Sequence, residues 1–330
     1  MNLFFSLIAV TVLILLAWLG SQSTSMELLL GAIVPYTALV VFTLGIIWRV
    51  VRWARSPVPF RITTTCGQQK TLPWIKSSRL ECPHSVWGVI GRMALEVLFF
   101  RSLLRNTKLQ LRDGPRLSYG TNLYLWLGGL AFHWSFLIIL VRHTRFFVEP
   151  VPTWVLGLQN LDGFFQVGLP VIYISGLLLV AALTYLFFRR VVTPQMRYIS
   201  LAGDYFPLLL LLGVAVSGVL MRYFYKVDIV AVKELALGLW NFEPIIPVGI
   251  GAIFYVHLFL VCMLLIYFPF SKLVHMAGIF LSPTRNLANN NRMRRHINPW
   301  NYPVKVHTYE EWEDEFRDVM KAADMPLEKE

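Results

Sequence analysis

The chain has 330 residues, of which 56% are hydrophobic and only 15% are charged, and its mean hydropathy is +0.57. Soluble globular domains carry about 25% charged and about 45–50% apolar residues, so this composition excludes an ordinary soluble protein and indicates a membrane protein. The net charge of +11 comes mainly from basic loops between apolar runs, which the positive-inside rule explains without nucleic acid as a partner.

Six apolar runs are long enough to cross a hydrocarbon core of ~30 Å, which needs about 20 residues of helix. They cover residues 3–20, 28–50, 121–146, 168–188, 203–222 and 249–280. The first run lacks a basic n-region and a second run follows closely, so we expect a retained helix and not a cleaved signal peptide. The predicted fold class is an all-α integral membrane protein, a six-helix transmembrane bundle.

Basic residues are concentrated on one side of these spans. Residues 52–118 hold twelve Lys and Arg against three acidic residues, and further arginines follow the fourth and sixth spans. We therefore expect a multi-pass protein of the cytoplasmic (inner) membrane, with these loops and both termini in the cytoplasm. The third span then runs from inside to outside, and the sixth runs back.

The spans and loops divide the chain into four segments. These are transmembrane helices 1 and 2 (1–50), a cytoplasmic loop (51–118), a four-helix transmembrane core (119–283) and a cytoplasmic tail (284–330). Within the loop, residues 86–105 combine an apolar face with Arg92, Arg101 and Arg105, which predicts an amphipathic helix at the membrane interface.

The tail is predicted to contain a short amphipathic helix. Thr308 and Glu311 have the spacing of a capping box at its start. An apolar stripe follows at helical spacing, formed by Trp312, Phe316, Val319, Met320 and Ala323. Such a stripe needs a surface to lie on, either the chain's own loops or a partner subunit.

Four of the seven histidines lie inside two of the spans, His133 and His143 in the third, and His257 and His275 in the sixth. Ionisable residues at this depth usually face the bundle interior and mark a function. At ~100° per residue, eighteen residues return to the same helix face, and ten residues leave two side chains about 80° apart. Antiparallel helices then pair His133 with His275 towards the cytoplasm, and His143 with His257 towards the outside.

Two imidazoles that face each other across an apolar gap can bind a haem iron from both sides, and such a six-coordinate iron suits electron transfer. We therefore predict two bis-histidine haems b between helices 3 and 6. Ten residues rise ~15 Å and eighteen rise ~27 Å, so straight helices cannot hold both pairs level, and tilt or a bend at Pro269 is required. Gly128 and Gly129 either admit the flat macrocycle or serve helix packing.

Other readings of the histidines stay open. Zinc would want four ligands, and no cysteine or carboxylate lies near these positions. A histidine-based proton or metal transporter is the rival from a different class, and it predicts a colourless protein. A scaffold that anchors soluble subunits is a third interpretation, in which the histidines are dispensable for electron transfer.

Two histidines ten residues apart, then two eighteen apart on a later helix that ends "FPFSKLVHM", resemble the gamma subunit of respiratory nitrate reductase. The resemblance covers roughly residues 28–285. It implies a di-haem b quinol oxidase that passes electrons to cytoplasmic iron–sulfur partners. The four axial ligands implied are His133, His143, His257 and His275. The quinone, expected to be menaquinone, would bind near the outer pair.

The outer end of the third span carries two further candidate residues. Arg142 and Arg145 would bind haem propionates or a quinone carbonyl, or would only snorkel to the interface. The nitrate reductase family places a lysine for the quinone in the following loop, but no Lys or Arg occurs here between Arg145 and Arg189. The resemblance therefore leaves the quinone pocket to be built differently.

The first span, the loop 63–85 and the tail are similar, more narrowly, to the DsrM family, the membrane cytochrome b of the sulfite reduction-associated Dsr complex. This implies a quinone-linked oxidoreductase subunit in dissimilatory sulfur metabolism that is not a complete enzyme alone. The partners implied are a DsrK-like iron–sulfur subunit and DsrJ-, DsrO- and DsrP-like subunits. The alternative within the same fold is the membrane cytochrome b of a nitrate or heterodisulfide reductase.

The loop also holds Cys66, Cys82 and His84. They make a poor metal set without a CxxC pair, and a reducing cytoplasm disfavours a disulfide. We expect a role in loop structure or partner contact, with a catalytic thiol as the alternative. His296 and His307 in the tail are expected at the surface.

Overall fold

A computed structural model of the chain describes residues 1–56, 67–105, 107–114, 116–163, 171–293 and 306–329. Six helices in these ranges are long and apolar enough to cross a membrane. They cover Asn2–Gly20, Ser25–Ala54, Leu123–Phe146, Ile174–Val192, Ala202–Tyr223 and Ala252–Phe270. The prediction of six spans is confirmed, and the fold is mostly helical.

The described α-helices are numbered in chain order. They are α1 Asn2–Gly20, α2 Thr24–Leu28, α3 Val34–Ala54, α4 Val86–Phe99, α5 Arg101–Arg105, α6 Leu123–His143, α7 Thr153–Asp162, α8 Ile174–Val192, α9 Pro194–Ile199, α10 Ala202–Tyr223, α11 Ile229–Trp240, α12 Ala252–Tyr267, α13 His275–Leu281, α14 Pro283–Asn286 and α15 Tyr309–Ala322. A π turn covers Leu29–Ile33, and 3₁₀ turns cover Thr144–Phe146, Phe268–Phe270 and Lys272–Val274.

The expectation of an all-α fold is wrong at one place in the inner loop. Strands β1 (Thr107–Arg112) and β2 (Arg116–Thr121) form an antiparallel hairpin in which Arg112 lies opposite Arg116. The first strand alternates polar residues with leucines in the sequence "TKLQLR", a period of two that favours a strand over a helix.

Helices α10 and α12 form the centre of the bundle. Helix α10 packs against α1, α8 and α12. Helix α12 also packs against α1 and α3. Helix α6 packs along α8 and adds only partly buried side chains to the edge of the central core. A Cβ at Gly128 would lie 2.7 Å from the Tyr185 ring, so this glycine allows the close approach of α6 and α8.

The sixth span is broken where one continuous helix over 249–280 was expected. Helix α12 ends at Tyr267, two 3₁₀ turns follow, and α13 begins at His275. Pro269 lacks an N–H and fixes its φ, so it ends the helix where a bend alone was predicted. His257 and His275 therefore lie on two separate helices, and the prediction that they share the face of one helix is wrong.

Helix α3 packs directly on this break. A Cβ at Gly45 would lie 2.7 Å from the Pro269 ring, and Arg49 Nε donates a hydrogen bond of 3.1 Å to the Pro269 carbonyl. The aromatic ring of Phe42 packs edge-on against Phe268, with 5.5 Å between ring centroids. The second span therefore fixes the position at which the sixth span is interrupted.

The helix predicted over residues 86–105 is interrupted, since α5 follows separately after Phe100, and its main part is α4. Ser85 caps it by accepting a bond from Gly88 N at 3.3 Å, and it ends at Phe100 in the left-handed conformation, φ 49°. The polar face was misjudged, since Arg92 is only 7% exposed and the equally buried Glu96 forms an ion pair with Arg285 at 3.0 Å.

Two indole groups attach α4 to the third span. Trp126 Nε1 donates to the Phe99 carbonyl at 2.7 Å, and Trp134 Nε1 donates to the Leu98 carbonyl at 3.0 Å. The C-terminal end of α4 therefore lies against α6.

Helices α7 and α11, on the predicted outer side, were not expected. An ion pair between Lys233 and Glu149 joins α11 to the segment after the third span. Asp228 caps α11 by accepting bonds from the backbone N–H groups of Val230 at 2.9 Å and Ala231 at 3.3 Å.

The tail helix α15 confirms the predicted capping box. Thr308 Oγ1 accepts a bond from Glu311 N at 3.2 Å, and the Glu311 carboxylate accepts one from Thr308 N at 3.1 Å. Met320 is buried, whereas the rest of the predicted stripe remains partly exposed, including Trp312 and Phe316.

Candidate functional site

The structure brings together the two histidines that were paired towards the cytoplasm. The ring centroids of His133 and His275 lie 6.1 Å apart, and the ring planes are nearly perpendicular at 83°. Helix α6 carries His133, whereas His275 is the first residue of α13, directly after the break in the sixth span. The break therefore supplies the displacement that the difference in helix rise required.

Three of the four imidazoles use Nδ1 in the same way. His133 bonds the Gly129 carbonyl at 2.7 Å, and His143 bonds the Ile139 carbonyl at 2.7 Å. His275 bonds the Lys272 carbonyl at 2.9 Å. A carbonyl oxygen only accepts, so Nδ1 carries the proton in each ring and Nε2 has the free lone pair.

His257 uses a side chain in addition to a backbone carbonyl, that of Val214. Its Nδ1 lies 2.9 Å from Ser217 Oγ, and that hydroxyl lies 3.0 Å from the Val214 carbonyl. The hydroxyl has one proton and gives it to the carbonyl, so it accepts the proton of His257 Nδ1. Among the described residues, none donates to or accepts from Nε2 of any of the four imidazoles.

The outer two histidines also lie near each other. His143 is close enough to His257 for an electrostatic interaction between the rings. A Cβ at Gly218 would lie 3.4 Å from Cε1 of His257, so α10 approaches this imidazole closely. Phe146 packs near His143 with 5.8 Å between ring centroids.

The donor set fits an ion held between two imidazoles. An imidazole nitrogen lies about 2 Å from a first-row metal ion such as zinc, so two opposed ligands separate their ring centres by roughly 6 Å. The 6.1 Å between His133 and His275 matches this spacing. Metal-binding histidines typically give the other ring N–H to a carbonyl or hydroxyl, as all four do here.

Arg142 and Arg145 are both bonded inside the protein. Arg142 forms an ion pair with Asp162, and its side chain is only 14% exposed, so it does not snorkel. Its guanidinium also covers the Tyr173 ring at 3.3 Å from the centroid. Arg145 donates a bond of 2.7 Å to Gln159 Oε1.

A family model for the nitrate reductase gamma subunit matches residues 84–295, a range that includes all four histidines of the spans. The chain belongs to the nitrate reductase gamma subunit family. The match begins within the inner loop, so the first two spans lie outside it.

Two curated relatives have nearly the same length of match. The Hdr-like menaquinol oxidoreductase cytochrome b-like subunit of Archaeoglobus fulgidus is 49% identical over 277 residues, which cover 82% of each chain. The protein of the same name from Archaeoglobus profundus is 39% identical over 273 residues, which cover 81% of each chain.

Sequence reasoning missed two residues that bond candidate site residues, Asp162 and Ser217. Asp162 accepts bonds from Ser175 N at 2.7 Å and Ser175 Oγ at 2.6 Å in addition to the Arg142 ion pair. It lies in a segment read as a plain outer loop. Ser217 was overlooked because a serine between small and apolar residues in a span reads as helix packing.

The cysteine loop lies apart from the four histidines in sequence and is only partly described. Cys66 and His296 lie outside the described residues. Cys82 is 2% exposed, and its thiol lies 3.3 Å from the Gly67 carbonyl, which favours a role in loop structure. Partial burial and the charges of Lys70 and Arg79 lower the pKa of His84.

Proposed function

We propose that the chain is the di-haem b membrane subunit of a menaquinol oxidoreductase, which passes electrons from the quinone pool to a cytoplasmic iron–sulfur partner. Membership of the nitrate reductase gamma family and the names of the two relatives support this class of protein. The observation that carries the proposal is the His133–His275 pair. Its ring centroids lie 6.1 Å apart, and both Nδ1 atoms bond backbone carbonyls.

The chain's residues act mainly by holding and orienting. His133 and His275 are the proposed ligands of the inner haem, and His143 and His257 those of the outer haem. When bound, each haem would supply a one-electron carrier. The Nδ1 bonds fix the tautomer and orientation of each ring and leave the Nε2 lone pair available to a metal ion.

The outer cluster is the proposed place of the quinone and of the haem propionates. An arginine has five N–H donors. Arg142 uses Nη1 for Asp162 and Ser175, and its buried Nε has no partner among the described residues. Arg145 uses one donor for Gln159. Both side chains therefore keep donors for a carboxylate or a quinone carbonyl.

The small number of cysteines supports an iron–sulfur partner subunit, and the distribution of basic residues supports the orientation in the membrane. With three cysteines the chain cannot bind a four-cysteine cluster itself, so another subunit supplies the iron–sulfur centres. The basic loops favour the cytoplasmic side of the inner membrane for this partner and for both termini.

The narrower proposal is a Dsr-type complex with DsrK-, DsrJ-, DsrO- and DsrP-like subunits in sulfur metabolism. The Hdr-like names of the relatives favour the alternative of a heterodisulfide reductase-type partner. The proteins that co-purify with the chain from its native membrane decide between them.

The test is haem quantitation by pyridine haemochrome on the wild type and four single His→Ala variants. We expect two haems b per chain in the wild type and one in each variant, with His133→Ala and His275→Ala losing the same species. His307→Ala is the matched control, because this tail residue lies outside the spans, and it keeps both haems. A colourless wild type favours the transporter, and four variants that retain both haems and electron transfer favour the scaffold.

A further inference from the structure

The four imidazoles differ in the group that accepts the hydrogen bond from Nδ1–H. His133, His143 and His275 each bond a carbonyl three or four residues earlier in their own segment. A substitution cannot remove such a carbonyl. His257 contacts the Val214 carbonyl and in addition bonds the side chain of Ser217, which belongs to α10 and is forty residues away in sequence. One ligand of the four therefore has a partner that mutation can delete.

The local geometry holds this serine in place. Ser217 is 5% exposed, and its hydroxyl gives its own proton to the Val214 carbonyl one turn earlier. A Cβ at the neighbouring Gly218 would lie 3.4 Å from His257 Cε1, an ordinary van der Waals distance, so α10 lies beside the imidazole at this point. The hydroxyl is therefore oriented by the helix with its lone pair towards His257 Nδ1.

A hydrogen bond from Nδ1–H changes the reduction potential of an iron bound at Nε2 in a defined direction. An acceptor at Nδ1–H raises the basicity of the ring and the electron donation through Nε2, and it also fixes the orientation of the ring. Greater donation stabilises the more oxidised state of a bound iron and lowers its reduction potential. Loss of the acceptor raises the potential.

We propose that Ser217 is the positioning residue of the outer ligand His257, and that its hydroxyl sets the reduction potential of the outer haem without affecting the inner haem. This inference rests on the proposed function, because it needs a haem bound by His257.

The experiment is a spectroscopic redox titration of the purified full-length chain, preceded by haem quantitation. In Ser217→Ala we expect one midpoint potential to rise, and the species affected is the one that His257→Ala removes. The other midpoint stays at the wild-type value. Ser217→Thr keeps the hydroxyl and restores the wild-type midpoint.

Ser135→Ala is the matched control. Ser135 is a buried serine of α6 whose hydroxyl, among the described residues, bonds carbonyls of its own helix alone, those of Ala131 and Phe132. Both midpoints are expected to stay unchanged in this variant. Loss of the outer haem in Ser217→Ala with rescue by Ser217→Thr also supports the positioning role, whereas the same loss in Ser135→Ala overturns it.

Two further results overturn the inference. Unchanged midpoints in Ser217→Ala show that the hydroxyl has no influence on the haem. A fall of the outer midpoint shows that the imidazole has transferred to the nearby Val214 carbonyl, so that the serine was not the controlling acceptor. A wild type without haem contradicts the proposed function instead, and haem quantitation distinguishes this case at the start.

Discussion

The inner and outer histidine pairs are held in different ways. The inner pair depends on a break in the backbone, since His275 reaches His133 only after the sixth span is interrupted at Pro269. The outer pair lies on α6 and α12, two unbroken helices, and depends on side chains that cross between helices, such as the Ser217–His257 bond. The inner pair should therefore respond to changes in backbone packing, and the outer pair to changes in side-chain chemistry.

The largest effect is expected where a buried charge loses its partner at the outer end. Arg142→Met leaves the Asp162 carboxylate, 4% exposed, without its ion pair. Breaking a buried pair from one side costs about 3–5 kcal/mol. We expect a lower thermal midpoint in detergent and loss of the outer haem before the inner one. Haem absorbance recorded during heating measures both.

Two further variants sharpen this prediction. Lys233→Met breaks an ion pair whose Glu149 partner is 62% exposed, and an exposed pair contributes only about 0–1 kcal/mol. The double variant Arg142→Met/Asp162→Asn removes the uncompensated charge, so part of the lost stability should return. If Arg142→Met and Lys233→Met shift the midpoint equally, the cluster around Asp162 has no special role.

A smaller effect is expected from crowding the break in the sixth span. The new Cβ of Gly45→Ala would lie 2.7 Å from the Pro269 ring, and overpacking of this kind costs about 1–3 kcal/mol. The displaced break moves His275, so we expect selective loss of the inner haem, measured as haem per chain and assigned by comparison with His275→Ala.

Gly176→Ala provides the control for the break. Gly176 also lies in a transmembrane helix, but a Cβ there meets no described atom within 4 Å. This variant should keep both haems. Selective loss of the outer haem in Gly45→Ala would contradict the assignment of the break to the inner pair.

The sequence was sufficient for the positions of the spans and for the pairing of His133 with His275, because hydropathy and antiparallel order depend only on residue type and spacing. It could not locate the partner of Arg142, because Asp162 lies in a segment without a periodic signal and reaches Arg142 only through the fold. It indicated a bend at Pro269, but the size of the interruption depends on how α3 packs there. The inner histidine pair and the break in the sixth span can thus be predicted in part from the sequence, whereas the cross-helix contacts of the outer pair cannot.

The smallest of these effects concerns the contact between α4 and the inner pair. Phe100, the residue that follows α4, lies edge-on against His133, with 4.8 Å between ring centroids. The indoles of Trp126 and Trp134 hold this end by donating to carbonyls of α4. Each such bond contributes about 0.5–1.5 kcal/mol, so Trp126→Phe/Trp134→Phe should loosen α4 without unfolding the bundle.

Hydrogen exchange measures this loosening directly. Amides of α4 should exchange faster in the double variant, and the midpoint potential of the inner haem should shift while the outer one stays fixed, because only His133 loses a neighbouring ring. Trp87→Phe is the control, since this α4 indole is 81% exposed. A shift of the outer midpoint in the double variant would mean that the two pairs are not independent, and the contrast between a backbone-held inner site and a side-chain-held outer site would then have to be abandoned.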